Sequence, residues 1–132
     1  FLFGDANPSW RLPFTVPKQT ADLPPFEDYV MEGRTYRFSD KEPLFPFGFG
    51  LSYTTFVYRD LVTPVREIAA GDPLEVEVEV ANTGPRPGRE IVQLYLQDLQ
   101  ASVRVPRFKL VGFAPGDLEP GQRQKVAFSV TP

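Results

Sequence analysis

The chain has 132 residues, which is enough for one domain of ordinary size or for a small domain with an extension. Seventeen acidic and 14 basic residues are mixed along it, so neither nucleic acid nor an acidic membrane is an expected partner. The sequence contains no Cys and no His, which excludes disulfides, thiol nucleophiles, imidazole bases and most zinc sites. Fifteen prolines, about twice the usual share, disfavour a helical bundle and favour short strands joined by loops.

The first 50 residues are irregular and rich in proline. Three large apolar residues at positions 1–3 run directly into a turn, which predicts the end of a buried strand. The pair Pro24-Pro25 favours an extended connection. Residues 33–38, GRTYRF, alternate in a way that predicts a short strand with Tyr36 and Phe38 on one side.

Residues 43–53, PLFPFGFGLSY, form the hinge at which the chain changes character. The prolines stiffen it, the glycines permit close backbone approach, and the large apolar side chains need burial. We therefore expect a rigid hinge with five side chains that pack against another surface, namely Phe45, Phe47, Phe49, Leu51 and Tyr53.

Five predicted strands come after the hinge, separated by turns rich in Gly and Pro that include Pro115-Gly116-Asp117. We place them at residues 53–60, 74–80, 90–97, 108–113 and 124–130. This spacing predicts an all-β, immunoglobulin-like antiparallel sandwich with an irregular N-terminal extension. Because such sandwiches commonly have about seven strands, we expect either that the last strands are lacking or that residues of the first part of the chain fill the gap.

The strongest strand signal is the alternation LEVEVEV at residues 74–80. It directs the apolar residues to the core and the three glutamates to water. Glutamates two apart on a strand lie about 7 Å apart and repel one another, so we interpret them as a solvated face and not as a cation site. In the next strand Ile91 and Tyr95 leave the outer face partly apolar, which predicts that this face also meets another surface.

Neither a catalytic site nor a metal or cofactor site is predicted. Without His or Cys, catalysis would have to rest on groups such as carboxylates. Glu27 and Asp28 lie in the proline-rich connection and Asp5 lies in a turn, so no pair suited to glycoside hydrolysis stands out. A carbohydrate-binding module remains an alternative, in which Trp10, Tyr36 and Tyr58 would stack on sugar rings.

Several strings in order along the chain together resemble the C-terminal part of glycoside hydrolase family 3 enzymes. They are GDANPS (4–9), RLPFT (11–15), PLFPFGFGLSYT (43–54), VANTG (80–84), VQLY (92–95), LVGF (110–113) and LEPG (118–121). The string GRTYRF (33–38) is more similar to the β-xylosidase branch than to the β-glucosidase branch.

The resemblance implies that residues 1–50 are the tail of an α/β sandwich domain and a connecting extension. Residues 51–132 then correspond to a fibronectin type III-like domain without its last strands. The parent would be a retaining β-glycosidase that removes terminal β-linked xylose or glucose from oligosaccharides. In that family the catalytic carboxylates lie in an N-terminal barrel and in the α/β sandwich domain, and neither segment is present in residues 1–132.

The resemblance therefore implies a non-catalytic packing module rather than an enzyme. Its expected partners are the N-terminal barrel and the α/β sandwich domain of the parent, with a homodimer as a second option. A secreted or periplasmic location is the first expectation for the parent, and a cytoplasmic one is the alternative.

Overall fold

The computed structural model describes residues 2–64 and 67–131. These residues divide into two units. The first unit comprises Phe1–Trp10, Leu51–Leu94 and Val111–Pro132. The second comprises Arg11–Gly50 and Tyr95–Leu110. Each unit brings together segments that are distant in sequence, so neither is a single continuous stretch of the chain.

In the described ranges, five strands form two sheets, which confirms the predicted all-β sandwich. Their bounds are β1 (Phe56–Val62), β2 (Leu74–Asn82), β3 (Gly88–Leu96), β4 (Lys109–Leu118) and β5 (Arg123–Val130). One sheet has the order β1-β2-β5, and β2 pairs antiparallel with both of its neighbours. The other sheet consists of β3 and β4.

The core lies between the two sheets. Its buried cluster takes side chains from four strands, namely Val78, Val80, Val92, Leu118 and Val126. Phe56, Ala114 and Phe128 pack against this cluster. The alternation predicted for β2 accounts for its share of the core, since Val76, Val78 and Val80 are all buried.

The glutamates of β2 lie on the outer face, as predicted, and they find partners on β5. Glu77 accepts a hydrogen bond from Lys125 Nζ at 2.9 Å, and Glu79 pairs with Arg123 at 3.4 Å. In the register of the two strands Lys125 lies opposite Glu79, so each ion pair is diagonal. Diagonal neighbours are within reach of long side chains, and this row of opposite charges supports the β2/β5 register.

Strand β4 corrects the predicted turn at Pro115-Gly116-Asp117, because the strand continues through all three residues to Leu118. Proline cannot donate a hydrogen bond to a neighbouring strand, and it is therefore tolerated on an edge. In the described part of the chain β4 pairs with β3 alone, so the other side of β4 is a sheet edge, where a proline is tolerated. The prolines and glycines of this stretch thus mark an edge strand and not a turn.

The second unit is held by backbone pairing between the extension and the hinge. The amide N–H of Leu12 donates to the carbonyl of Phe49 at 2.8 Å, and Gly48 N–H donates back to the carbonyl of Leu12 at 2.8 Å. Further along, Val16 N–H donates to the carbonyl of Phe45 at 2.8 Å, where the two residues form an isolated antiparallel bridge. This unit also contains a 3-10 turn, Thr20–Asp22. None of the helices in the described residues is long and apolar enough to cross a membrane.

Two predictions for the first half of the chain are wrong. The predicted strand at residues 33–38 is a one-turn helix, α1 (Thr35–Phe38), because Gly33 and Thr35 both have positive φ, which an extended strand does not allow. At the start of the chain, Leu2 and Phe3 lie in an exposed turn and not at the end of a buried strand. Phe1, the third residue of that prediction, lies outside the described residues.

Candidate functional site

Aromatic side chains from distant parts of the second unit form one cluster, which we call the aromatic cluster: Tyr36, Phe47, Tyr95 and Phe108. Tyr36 stacks on Phe47 with ring centroids 4.1 Å apart and planes inclined by 16°. Tyr95 meets both rings edge-on, at 6.2 and 6.4 Å. Offset stacking and edge-to-face contacts are the favoured arrangements of aromatic rings, so these side chains stabilise the unit from within.

The two tyrosine hydroxyls of the aromatic cluster have different surroundings. Burial raises the pKa of Tyr95 above its ordinary value. Burial also acts to raise the pKa of Tyr36, but hydrogen bonds from Arg37 Nε and from the amide N–H of Leu110 favour its charged form. Together with the charges of Arg37 and Lys109, these bonds leave the pKa of Tyr36 below its ordinary value. Both groups of Tyr36 are therefore engaged within the chain: the ring packs against other aromatic rings, and the hydroxyl accepts hydrogen bonds.

The predicted hinge residues fall into two groups. Phe45 and Phe49 contact each other with centroids 5.0 Å apart, and Phe47 lies in the aromatic cluster. Leu51 and Tyr53 belong to the first unit and are exposed. Both predicted residues of β3, Ile91 and Tyr95, are half-buried. Tyr53, Leu51 and Phe45 are therefore the members of the predicted set that present apolar surface to solvent.

Asn7 fastens the start of the chain to the first unit. Its Oδ1 accepts hydrogen bonds from the amide N–H of Tyr53 at 2.8 Å and from Ser52 Oγ at 3.1 Å. Its Nδ2 donates to the carbonyl of Pro87 at 2.9 Å. Gly88 allows this contact, because a Cβ there would lie 2.7 Å from Asn7 Nδ2. Turn composition predicted no such role for Asn7, and the only signal for it was its place in the string GDANPS.

Asn82 makes a second polar centre in the first unit and is buried at the end of β2. Its Oδ1 accepts from Thr54 Oγ1 at 2.6 Å and from the amide N–H of Gly84 at 3.0 Å. Its Nδ2 donates to the carbonyls of Arg86 at 2.8 Å and Leu118 at 2.9 Å. The sequence analysis included Asn82 only within the string VANTG (80–84), and it did not predict that all of the side-chain hydrogen-bonding capacity of Asn82 is used.

The three residues of the sugar-stacking alternative lie in different settings. Tyr36 is part of the aromatic cluster. Tyr58 lies on β1 and its hydroxyl donates to Glu90 Oε1 at 2.6 Å, although its ring is partly exposed. Trp10 is 79% exposed, which leaves its indole ring available to a partner.

A loop that sequence analysis did not single out presents two more aromatic rings. Phe26 and Tyr29 are 88% and 87% exposed. The guanidinium of Arg34 holds this loop, since it donates to the carbonyls of Pro25 and Val30 at 3.1 and 3.0 Å and also to that of Asp28. The exposed rings of Phe26 and Tyr29 therefore lie on a loop whose backbone is held by hydrogen bonds from Arg34.

A groove of about 650 Å³ lies in the second unit. It is lined mostly by apolar side chains, among them Phe14, Leu23, Met31 and Phe47. Charged groups of both signs, such as Arg34 and Glu42, complete the lining. The groove therefore combines apolar contact area with an ion pair, in which Lys41 Nζ lies 3.9 Å from Asp22 Oδ1.

Comparisons with known proteins identify two regions. Residues 1–53 match the model of the Glycosyl hydrolase family 3 C-terminal domain, and residues 90–132 match that of the Fibronectin type III-like domain. A Beta-xylosidase of Formosa agariphila is 43% identical over 98% of this chain, and a Periplasmic beta-glucosidase of Salmonella typhimurium is 38% identical over 98% of it. The chain covers 18% of the length of each of these two proteins.

A solved structure is similar along nearly the whole chain. The b-glucosidase EmGH1 of Erythrobacter marinus superposes with a TM-score of 0.84 and 44% sequence identity over 99% of this chain. The chain covers 18% of that structure as well. The similarity therefore extends through both units of the chain but concerns less than a fifth of these proteins.

Proposed function

This chain belongs to the C-terminal region of glycoside hydrolase family 3, and on that basis we propose that it serves a β-glycosidase as a packing module without catalytic residues of its own. The observation that carries the proposal is that large aromatic side chains of this chain are exposed. The chain covers only 18% of the length of the beta-xylosidase relative, so the rest of such a protein could cover these side chains. Phe3, Trp10, Phe26 and Tyr29 are each at least 79% exposed. Phe26 and Tyr29 lie on one loop of the second unit, and two large rings exposed on one loop favour contact with another protein surface.

The partners that we propose are the N-terminal barrel and the α/β sandwich domain of the parent enzyme. In this assignment residues 1–50 are the tail of the α/β sandwich domain and the connecting extension. Residues 51–132 are the fibronectin type III-like domain. A second copy of the chain is the alternative partner for these exposed side chains.

The predicted interface residues would act in two ways. Leu51, Tyr53 and Phe45 are exposed, and we propose that they contact the catalytic domains directly. Phe47 and Tyr95 are engaged in the aromatic cluster, so their contribution would be to hold the hinge in shape. For Ile91, which is half-buried, we propose direct contact through the outer face of β3.

For the parent we propose a retaining β-glycosidase that removes terminal β-linked xylose or glucose. The names of the relatives, a beta-xylosidase and a beta-glucosidase, support this reaction class and leave both sugars open. The GRTYRF string favours xylose.

Carbohydrate binding is the second candidate function, because Trp10 presents an exposed indole ring of the kind that stacks on sugars. Affinity chromatography of the purified chain on xylan and on cellulose separates the two candidates. A packing module passes through both columns with the bulk protein. Retention that is lost in Trp10→Ala but kept in Phe26→Ala would replace the packing module by a sugar-binding module.

The same preparation tests the absence of catalysis. On nitrophenyl β-xyloside and β-glucoside, the chain alone is expected to release nitrophenol no faster than buffer does. Turnover that copurifies with the chain and scales with its concentration would overturn the non-catalytic assignment.

A further inference from the structure

The loop formed by residues 25–32 of the second unit presents two aromatic rings with two carboxylates between them. Phe26 and Tyr29 are 88% and 87% exposed, and Glu27 and Asp28 are exposed as well. Val30, which follows directly, is 60% exposed. Apolar residues that are exposed one at a time are ordinary on a protein surface, whereas several together mark a site of interaction.

Hydrogen bonds order the backbone of this loop. The amide N–H of Asp28 donates to the carbonyl of Pro25 at 3.1 Å, and the amide N–H of Val30 donates to Asp28 Oδ1 at 2.9 Å. The guanidinium of Arg34 adds bonds to three carbonyls of the loop. A loop that is already ordered loses little conformational entropy when a partner binds, so its two rings are preorganised for contact.

The charges that this loop offers to a partner are acidic. Two arginines contact the loop, but Arg34 donates to backbone carbonyls and Arg104 pairs with Glu32 at 2.8 Å. Among the residues that the structure describes, neither Glu27 nor Asp28 has an ion-pair partner. The complementary partner therefore brings cations to the same place where it covers the rings.

This combination favours a protein partner over a sugar. A neutral sugar stacks on an aromatic ring but offers no charge to the two carboxylates. A protein surface with lysine or arginine around an apolar pocket complements both, and a guanidinium also binds favourably over the face of a tyrosine ring.

We propose that the loop docks into an apolar pocket of the catalytic part of the parent enzyme, and that the rim of this pocket carries lysine or arginine. The inference rests on the proposed function, because it takes the parent as the source of the pocket. Phe26 and Tyr29 fill the pocket and supply most of the affinity. Glu27 and Asp28 pair with the cations of the rim and fix the orientation in which the loop docks.

Hydroxyl-radical footprinting with mass spectrometry tests the contact on the whole parent enzyme and on the isolated chain. We expect Phe26 and Tyr29 to react about tenfold or more slowly in the parent than in the isolated chain, because the centre of an interface excludes water. Equal reactivity of both rings in the two proteins would overturn the proposal.

Charge variants of the parent enzyme test the cationic rim with the same readout. Glu27→Lys/Asp28→Lys is expected to raise the reactivity of Phe26 and Tyr29 about threefold or more, because like charges then meet at the rim. Glu27→Gln/Asp28→Gln, which removes the charge without reversing it, should raise the reactivity less. Asp72→Lys is the control, a charge reversal at an exposed residue of the first unit, and should leave both rings protected. Full protection of the rings in both double variants would overturn the cationic rim.

The footprints also separate the other occupants of the loop. Protection of Phe26 and Tyr29 in the isolated chain that rises with its concentration would assign the loop to a second copy and overturn the proposal. Protection that requires added xylo-oligosaccharide would overturn it in favour of a sugar.

Failure of this site is distinguishable from failure of the packing module. If Phe26 and Tyr29 stay reactive in a parent enzyme that protects Leu51 and Tyr53, the loop site is wrong and the packing module stands. If all four side chains react as fast in the parent as in the isolated chain, the packing module is wrong as well.

Discussion

The hydroxyl of Tyr58 donates a hydrogen bond of 2.6 Å to Oε1 of Glu90 and so joins the two sheets of the sandwich. Tyr58 belongs to β1 and Glu90 to β3. The Glu90 side chain is buried, with 4% of its surface exposed. A buried carboxylate costs free energy unless it has polar partners, so this contact is part of what makes an acidic residue tolerable inside the sandwich.

Tyr58→Phe removes this hydrogen bond and keeps the ring. Because one partner of a buried carboxylate is lost, we expect the free energy of unfolding to fall by about 1–3 kcal/mol. Urea denaturation measures the free energy of unfolding. Tyr29→Phe is the matched control, because Tyr29 is exposed, and the stability of this variant should stay within about 0.5 kcal/mol of that of the unsubstituted chain. Equal stability of the two variants would show that the Tyr58 hydroxyl does not contribute to stability.

Asn82→Ala removes a side chain that makes four hydrogen bonds in a buried setting. Its former partners are left unsatisfied, and the expected loss of unfolding free energy is about 2–4 kcal/mol. Thr54→Val removes one of the four bonds and should cost about 1 kcal/mol in the same denaturant titration. A loss for Asn82→Ala no larger than that for Thr54→Val would contradict a central role for Asn82.

Gly112→Ala tests close packing between β4 and β5. A Cβ at position 112 would lie 2.9 Å from Cδ1 of Phe128, so the ring has to move. Overpacking of this kind typically costs about 1–3 kcal/mol of stability. We expect a smaller cost when the substitution is made in a Phe128→Leu background, and thermal unfolding of the four proteins of this double-mutant cycle measures the difference. An equal cost in both backgrounds would exclude the ring as the cause.

Arg89 and Asp117 form a bidentate pair between β3 and β4, with both N···O distances at 2.8 Å. The hydrogen bonds from Arg89 hold the pKa of the Asp117 carboxyl below its ordinary value of 3.8. A lowered folded-state pKa means that the pair stabilises the fold above the unfolded-state pKa and loses this contribution as the pH falls through the folded-state pKa.

Carbon-13 NMR of the side-chain carboxyl measures this directly. Arg89→Gln should raise the pKa of Asp117 towards 3.8. Arg123→Gln, which removes the partner of Glu79 instead, should leave it unchanged. If the pKa of Asp117 is the same in Arg89→Gln as in the unsubstituted chain, the pairing of Arg89 with Asp117 in solution is contradicted.

Most of the sandwich follows from local alternation. The pattern at residues 74–80 suffices to place Val76, Val78 and Val80 in the core, because a strand with period two has one buried face. The same reasoning failed at residues 33–38, where positive φ at Thr35 turns an apparently alternating segment into α1. Positive φ is rare for a β-branched residue such as Thr35, so the sequence did not indicate this backbone conformation.

The polar centres could not be predicted from local pattern at all. Asn7 reaches Pro87, 80 positions away, and Asn82 reaches Leu118. Turn composition describes how such residues bond to their own neighbours and contains nothing about contacts of this separation. The aromatic character of the hinge predicted that its side chains need burial, yet Phe45, Leu51 and Tyr53 are exposed. It did not predict that Phe47 would stack on Tyr36 within the chain.

The central claim is that this chain packs against the catalytic domains of its parent, and recombination of the two parts tests it most directly. The N-terminal domains are produced separately, titrated with the chain, and assayed for association by sedimentation and for hydrolysis of nitrophenyl β-glycosides. We predict a complex at micromolar concentration, with hydrolysis that appears or rises on mixing and that is weakened by the double variant Phe26→Ser/Tyr29→Ser. Two parts that sediment independently at these concentrations, with no change in hydrolysis, would contradict the claim.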